Sequence, residues 1–438
     1  MKSRDWLALN TQAVISKVLS ETKNLSPDQI QNKIESLANE SHAIHDVNSF
    51  NLNPATNVLN PRAEALLASG MSSRASLGHP GDKYEVGLDA IEEIEVITNE
   101  LACKLFAADY AEYRVGSGAL ANLYSFMATT KPGDSIIAPP ATIGGHVTHH
   151  KAGAAGLYGL ITHPAPIDEN NYTVSLDGLV KLAKEVKPKL ITIGGSLNLF
   201  EHPVAKVREI ADSVGAYLLF DAAHLCGMIA GKTWESPLAQ GAHLMSFSTY
   251  KSLGGPAGGL IVTNDEELAK RLDAIAYPGL TANFDAAKTA ALGITLQDWL
   301  VCGNQYAKEM VATAKALASE LDKLGLNLFA KAKGFTTSHQ FAIVANDFGG
   351  GQSASKKLAK SGLLACGINI PGKVVEGDNN AVRIGTPEIV RIGMKVGDMP
   401  KLANLIYRGL TSDDDLSAEV KQWRKEFTKV HYTTDLPN

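Results

Sequence analysis

Residues 244–264 read LMSFSTYKSLGGPAGGLIVTN. An apolar run leads into a hydroxyl-rich turn with one lysine, Lys251, and a glycine-rich passage then leads into a second apolar run. Glycines in such a passage let backbone pass close to a bulky neighbour. Upstream, SIIAP at 135–139, KLITIGG at 189–195 and AYLLFDAAH at 216–224 are further short apolar runs. Amphipathic helical stretches separate them from about residue 90 to 305. Strands alternating with helices at this spacing predict an α/β fold whose mainly parallel central sheet is covered on both faces.

The flanks read differently. Ile15, Val18, Leu19, Ile30, Ile34 and Leu37 fall at helical spacing with a break near Ser26-Pro27, which predicts two N-terminal helices. Beyond residue 305 a long helical pattern, AKEMVATAKALASELDKLG, precedes QFAIVAN at 340–346 and AVRIGTP at 381–387. The pattern predicts a smaller C-terminal α+β domain, and TSDDDLSAEVKQWRKEF predicts a last surface helix. Three segments follow: an N-terminal helical arm over 1–55, a large α/β domain over 56–305 and the small domain over 306–438.

Composition bounds the function. Of 438 residues, 45% are hydrophobic and 20% charged, which is a folded, globular balance. A net charge of −5 argues against a nucleic-acid partner, because neutralising phosphates needs a basic surface. A small-molecule substrate is the expectation. Cys103, Cys226, Cys302 and Cys366 form no CxxC pair and no Cys/His group at zinc spacing, so they read as reduced thiols of a cytoplasmic protein with no metal site. The N-terminal MKSRDWLALNTQAVISKV lacks the uninterrupted apolar core of a signal peptide, and no stretch has the apolar length of a membrane span.

The chemistry sits in three places. Asp221 follows directly on the apolar run AYLLF, about thirty residues before Lys251. Alone, an acid at a strand end is usually a helix cap or turn residue, and a loop lysine is usually solvated. Together they are the two groups that pyridoxal 5'-phosphate (PLP) chemistry requires: a carboxylate that keeps the pyridine nitrogen protonated, and a lysine that holds the aldehyde as an imine. Upstream, EYRVGSGALANLYSF joins a strand to a helix through Gly116-Ser117-Gly118, and free amides at such a helix start bind phosphate.

The segments PPATIGGHVTHH, PKLITIGGSLNLF, REIADSVGAYLLFDAAHLCG, STYKSLGGPAGGLIVTN and VRIGTPEIVRIG, in this order, resemble the serine hydroxymethyltransferase family. The similarity runs from about residue 50 to 400. It implies a fold-type I PLP-dependent transferase, aspartate-aminotransferase-like, working as a homodimer or tetramer with shared active sites. It also implies roles: Lys251 as the Schiff-base lysine, Asp221 at the ring nitrogen, and His224 and Ser196 by the ring's phenolic oxygen. Ser117, Gly118 and Ala119 match the phosphate turn. Arg383 matches the arginine that clamps the substrate carboxylate, a task suited to a guanidinium fork. Without the resemblance, His224 reads as a core histidine and Arg383 as a surface ion pair.

Departures from the family narrow the expected activity. The family's S-E-N motif is Ala55-Thr56-Asn57 here, so a serine contact to the substrate carboxylate is lost. The stretch matching Y-A-E-G-Y-P-G runs from Ala75 to Gly81, which puts Leu77 in place of the glutamate and His79 in place of the second tyrosine; the next tyrosine pair becomes Tyr84-Glu85. Ile143 stands where a histidine stacks on the PLP ring, Tyr250 precedes the lysine in place of histidine, and Ala257 replaces an arginine. The partner-facing G-G-Q-G-G loop is Gly279-Leu280-Thr281-Ala282-Asn283.

These changes remove much of the machinery for serine's hydroxyl and for tetrahydrofolate, so folate dependence is open. The expectation is aldol or retro-aldol chemistry at the Cα–Cβ bond of a β-hydroxy amino acid such as serine or 2-methylserine, with room made by Ala55 and Leu77. A threonine-type aldolase or transaldolase, an aminotransferase or racemase, and a non-catalytic PLP-binding protein are the alternatives.

Overall fold

A computed structural model describes residues 4–434. Seven strands build the central sheet: β1 (Tyr110–Val115), β2 (Ser135–Ala138), β3 (Ile161–Pro164), β4 (Leu190–Gly194), β5 (Tyr217–Asp221), β6 (Leu244–Ser248) and β7 (Gly259–Thr263). Their order across the sheet is β1-β7-β6-β5-β4-β2-β3. Only β7 runs antiparallel to its neighbours. Each apolar run named in the sequence is one of these strands.

Continuous apolar runs form here because both faces are covered. Leu218 and Phe220, Met245 and Phe247, and Leu260 and Val262 enter one core, while Leu219, Leu244 and Ile261 enter another on the opposite face. That is the two-residue alternation of a pleated strand, with apolar residues on both sides. The first core continues through Phe341, Ile343, Val382 and Ile384. These belong to a three-stranded antiparallel sheet of β8 (Gln340–Val344), β9 (Cys366–Ile368) and β10 (Ala381–Gly385), in the order β8-β10-β9.

The predicted N-terminal helices are α1 (Leu9–Thr22) and α2 (Pro27–His42). The break falls at Ser26, whose side chain caps α2 in a reciprocal box with Gln29. Neither helix has a buried residue. After them, the short strand Phe50–Asn51 pairs in parallel with Leu363–Leu364, which ties the end of the arm to the C-terminal part. Helices α3 (Asp89–Phe106) and α4 (Gly118–Thr129) cover the large sheet.

One helix, α5 (Ala286–Lys323), passes straight through residue 305. No linker separates the large and small parts there, because the alanine-rich run from Ala286 continues the helical pattern that the sequence reading began at Ala307. The last helix covers only Ser417–Arg424 of the acidic stretch, and it buries Val420, Trp423 and Arg424 rather than lying wholly on the surface. No described helix is long and apolar enough to cross a membrane.

Candidate active site

The parallel strands place their carboxyl ends side by side, where open α/β sheets bind ligands. Asp221 ends β5, opposite Gly194 of β4 and Ser246 of β6. Gly194 has φ +86°, and a Cβ there would stand 2.3 Å from the Asp221 carbonyl oxygen, so no other residue fits this approach. Lys251 lies three residues past β6 and is buried.

Asp221 is buried at the centre of a polar network. Its Oδ2 lies 2.9 Å from His149 Nε2 and accepts from Asn122 Nδ2 at 3.0 Å, and its Oδ1 accepts the Ala223 amide at 3.0 Å. Ser246 donates to Asn122 Oδ1 at 2.7 Å, which fixes the amide. Burial alone would raise this carboxyl's pKa. The hydrogen bond and charge of His149, with the amide of Ala223, outweigh it and hold the group well below the usual carboxylate range. Asp221 is therefore a buried, permanent carboxylate.

Burial lowers the Lys251 amine to about 8; Asp221 opposes the shift and Arg383 adds to it. Its Nζ lies 3.1 Å from His224 Nε2, and Arg383 Nη1 lies 3.4 Å from the same nitrogen. Burial, then the charges of Lys251 and Arg383, hold His224 well below its ordinary value. A neutral imidazole facing two donors accepts at Nε2 and carries its proton on Nδ1, and that buried Nδ1 has no partner.

Arg383, in β10, is buried yet has no carboxylate within 4.0 Å among the described residues. Its Nη1 donates to the Ser196 carbonyl at 2.5 Å, its Nη2 lies 3.2 Å from Cys366 Sγ, and its Nε is unpartnered. A buried guanidinium without an anion is costly unless a ligand supplies one. His339 stands near it with both ring nitrogens unpartnered, pushed down to about 3 by burial and then by Arg383.

The other sequence candidates distribute unevenly. Ser117 caps α4, accepting the Leu120 amide at 3.2 Å, with Gly118 and Ala119 opening the helix. Ile143 is buried in a turn behind the end of β2. Ala55 donates its amide to Asn53 Oδ1 at 3.1 Å. Tyr250 is 36% exposed between two buried neighbours. Leu77 and His79 belong to a separate region: the Leu77 amide bonds Glu85, and His79 bonds Asp273 at 3.0 Å. His79 lines a cavity of about 580 Å³ with Glu112, Arg114 and Asp273, and Lys251, Asp221 and Arg383 are not among its walls. The chemistry, not that cavity, locates the site.

Sequence reasoning did not single out Asn122, His149, Cys366 or His339. His149 sat inside the quoted PPATIGGHVTHH, and Asn122 lies one helical turn past Gly118, but no local signal marked either of them as a partner of Asp221.

The donor set fits PLP. Asp221 supplies the carboxylate, Lys251 an amine of lowered pKa, the His224 Nδ1 proton is a buried donor awaiting an oxygen, and α4 begins at Gly118 with Ser117 as its cap. Loading of PLP onto the unloaded protein, followed by absorbance, is expected to quicken as pH rises and to level off above about 8. The sign follows from the lowered lysine value: the neutral amine that attacks the aldehyde is complete above it. A rate still climbing towards the ordinary lysine range would contradict the burial of Nζ.

This constellation on this sheet is that of the fold-type I class of PLP-dependent enzymes. Within the class the chain belongs to the serine hydroxymethyltransferase family, whose model matches residues 28–406. An α-methylserine aldolase of Variovorax paradoxus is 60% identical over 433 residues, covering 99% of this chain and 98% of its own. An α-methylserine aldolase of Ralstonia sp is 53% identical over 435 residues, 99% of each chain. A serine hydroxymethyltransferase of Methanothermobacter marburgensis is 38% identical over 386 residues, covering 88% of this chain and 91% of its own.

Proposed function

We propose that the chain is an aldolase acting on 2-methylserine: it breaks the Cα–Cβ bond to give alanine and formaldehyde, and forms it in reverse, with PLP and without tetrahydrofolate. The observation that carries the reading is Arg383, a buried guanidinium with no carboxylate within 4.0 Å among the described residues, 3.4 Å from the imidazole that Lys251 also faces. An α-amino acid brings a carboxylate for that fork and an amine for the neighbourhood of Lys251. The loss of the family's serine at Ala55 and the apolar Ile143 and Leu77 favour a methyl-bearing Cα over serine's machinery. The full-length relatives named α-methylserine aldolase support the same substrate.

Bound PLP supplies the electron sink for the charge left on Cα. The chain's own residues do the rest. Asp221 holds negative charge at the sheet end, Arg383 orients the substrate by its carboxylate, and His224 and Lys251 together hold and pass protons over the 3.1 Å between Nε2 and Nζ. Ser117, Gly118 and Ala119 offer the helix start to the phosphate. Leu77, His79 and Tyr250 would act across an interface of two chains sharing their sites. The free thiols of Cys103, Cys226 and Cys366 support a cytoplasmic location.

The test is formaldehyde release from 2-methylserine and from L-serine, each with and without tetrahydrofolate. Release from 2-methylserine that is indifferent to folate is expected. Release confined to L-serine plus folate would replace the aldolase by ordinary hydroxymethyl transfer.

A further inference from the structure

We propose that Glu388 is a positioning residue: a buried, protonated carboxyl that donates to Thr56 and so holds the segment 51–57 against both Lys251 and Arg383. The inference rests on the roles given above to those two residues. Segment 51–57 reads NLNPATN and reaches both of them. At one end Asn53 Oδ1 accepts from Cys366 Sγ at 3.2 Å, and that sulfur meets Arg383 Nη2 at 3.2 Å. At the other end Asn57 Nδ2 donates to the Lys251 carbonyl at 3.1 Å and meets the Tyr306 hydroxyl at 3.0 Å. Thr56 lies between, its Oγ1 2.9 Å from Glu388 Oε2 and 3.1 Å from the Asn53 carbonyl oxygen.

A hydroxyl has one hydrogen to give. If Glu388 were ionised, its carboxylate would draw the Thr56 hydrogen away from the Asn53 carbonyl, which would keep only the Thr56 amide at 3.2 Å and lose the hydroxyl contact that closes the turn. If Glu388 carries a proton, it donates to Thr56 Oγ1 and leaves the threonine hydrogen for Asn53, so both contacts hold at once. The surroundings favour the protonated form. Glu388 is 5% exposed and has no cation within 4.0 Å among the described residues. Asp46 faces it with like charge, the guanidinium of Arg424 is engaged by the carbonyls of Ser49 and Phe427, and Tyr306 adds a neutral phenol. Arg391, on the same short helix, pairs with Asp298. Burial, followed by Asp46, raises the Glu388 carboxyl to about 8 against the bond from Thr56 and the charge of Arg424.

The sign follows. From the ordinary carboxylate range up to about 8 the folded chain keeps a proton that the unfolded chain releases, so this group's contribution to stability declines over that window and is lost as pH rises through about 8. Over the same upper limit the Thr56 hydrogen turns to the carboxylate, and the turn that sets Asn53 and Asn57 loosens.

The experiment compares wild type, Glu388→Gln and Glu388→Ala. The glutamine amide donates to Thr56 as the protonated acid does and does not titrate. Wild type is expected to lose kcat/KM for 2-methylserine above pH 8, and Glu388→Gln to work as wild type does on the acid side without that alkaline loss. Glu388→Ala is expected to lose roughly tenfold at every pH, the scale of one unsatisfied buried hydrogen bond. The melting temperature of the unloaded protein should fall between pH 5 and 8 more steeply in wild type than in Glu388→Gln. Parallel pH dependence of both rate and melting in the two proteins would overturn the proposal. Should 2-methylserine not be turned over at all, the function proposed above fails, and retention of PLP against pH in the same pair decides the role of Glu388: retention lost above pH 8 in wild type alone supports it, and identical curves overturn it.

Discussion

Replacing Lys251 by alanine is expected to lower formaldehyde release from 2-methylserine by at least about 10³-fold, because a positioned proton-transfer group alone is typically worth about 10²–10⁴-fold and the lysine also supplies covalent attachment. The structure separates this loss from misfolding. Among the described residues the side chain makes no ion pair; it meets His224 Nε2 at 3.1 Å, and burial has already brought its amine down to about 8. Removing a buried amine without a counterion leaves stability unchanged or improves it, so the variant should melt no lower than wild type while its rate collapses. Arginine at 251 keeps a cation but cannot attack an aldehyde at neutral pH, and it should be as inactive as alanine. Wild-type formaldehyde release by Lys251→Ala would take Lys251 out of the chemistry.

Much of this was legible before the fold was known, and the exceptions have physical causes. The strands β2 and β4 to β7 were apolar runs of strand length, and a sheet covered on both faces leaves such runs uninterrupted. Asp221 and Lys251 lie at and just past strand ends, so chain position told where those two would meet, whereas Arg383 is the middle residue of β10 and only the fold brings it to them. The N-terminal break at Ser26 was a local capping signal and survived intact. Tertiary partners were not legible. Nothing local marks Glu388 as a protonated acid, because its Thr56 contact spans 332 residues. Asn122 reads as one more polar helix residue until β5 and β6 bring Asp221 and Ser246 to it. The boundary drawn between residues 305 and 306 falls inside α5, which runs through it without any change in helical pattern. The pairing of His79 with Asp273 could not be foreseen either, since the carboxylate lies 194 residues away.

Arg383 yields the second large effect and the clearest opposition between function and stability. Breaking a buried charge pair by removing one partner costs about 3–5 kcal/mol, so Arg383→Ala is expected to lower kcat/KM by about 10²–10⁴-fold, most of it through KM. Arg383→Lys keeps the charge but loses the fork, and it should recover only part of that loss. In the protein without substrate the same guanidinium is a liability. It has no carboxylate within 4.0 Å among the described residues, its Nε is unpartnered, and its two terminal nitrogens are met by a carbonyl, a thiol and a neutral imidazole. Replacing it with methionine of similar length should raise the melting temperature while catalysis falls, because burying an unpaired charge costs more than burying a thioether. Substrate should reverse the ranking: 2-methylserine is expected to raise the melting temperature of wild type and to leave Arg383→Met unmoved, since a ligand stabilises only the fold that binds it. A variant that melted lower than wild type and still bound 2-methylserine would make Arg383 a structural residue, held for β10 and its neighbours rather than for a carboxylate.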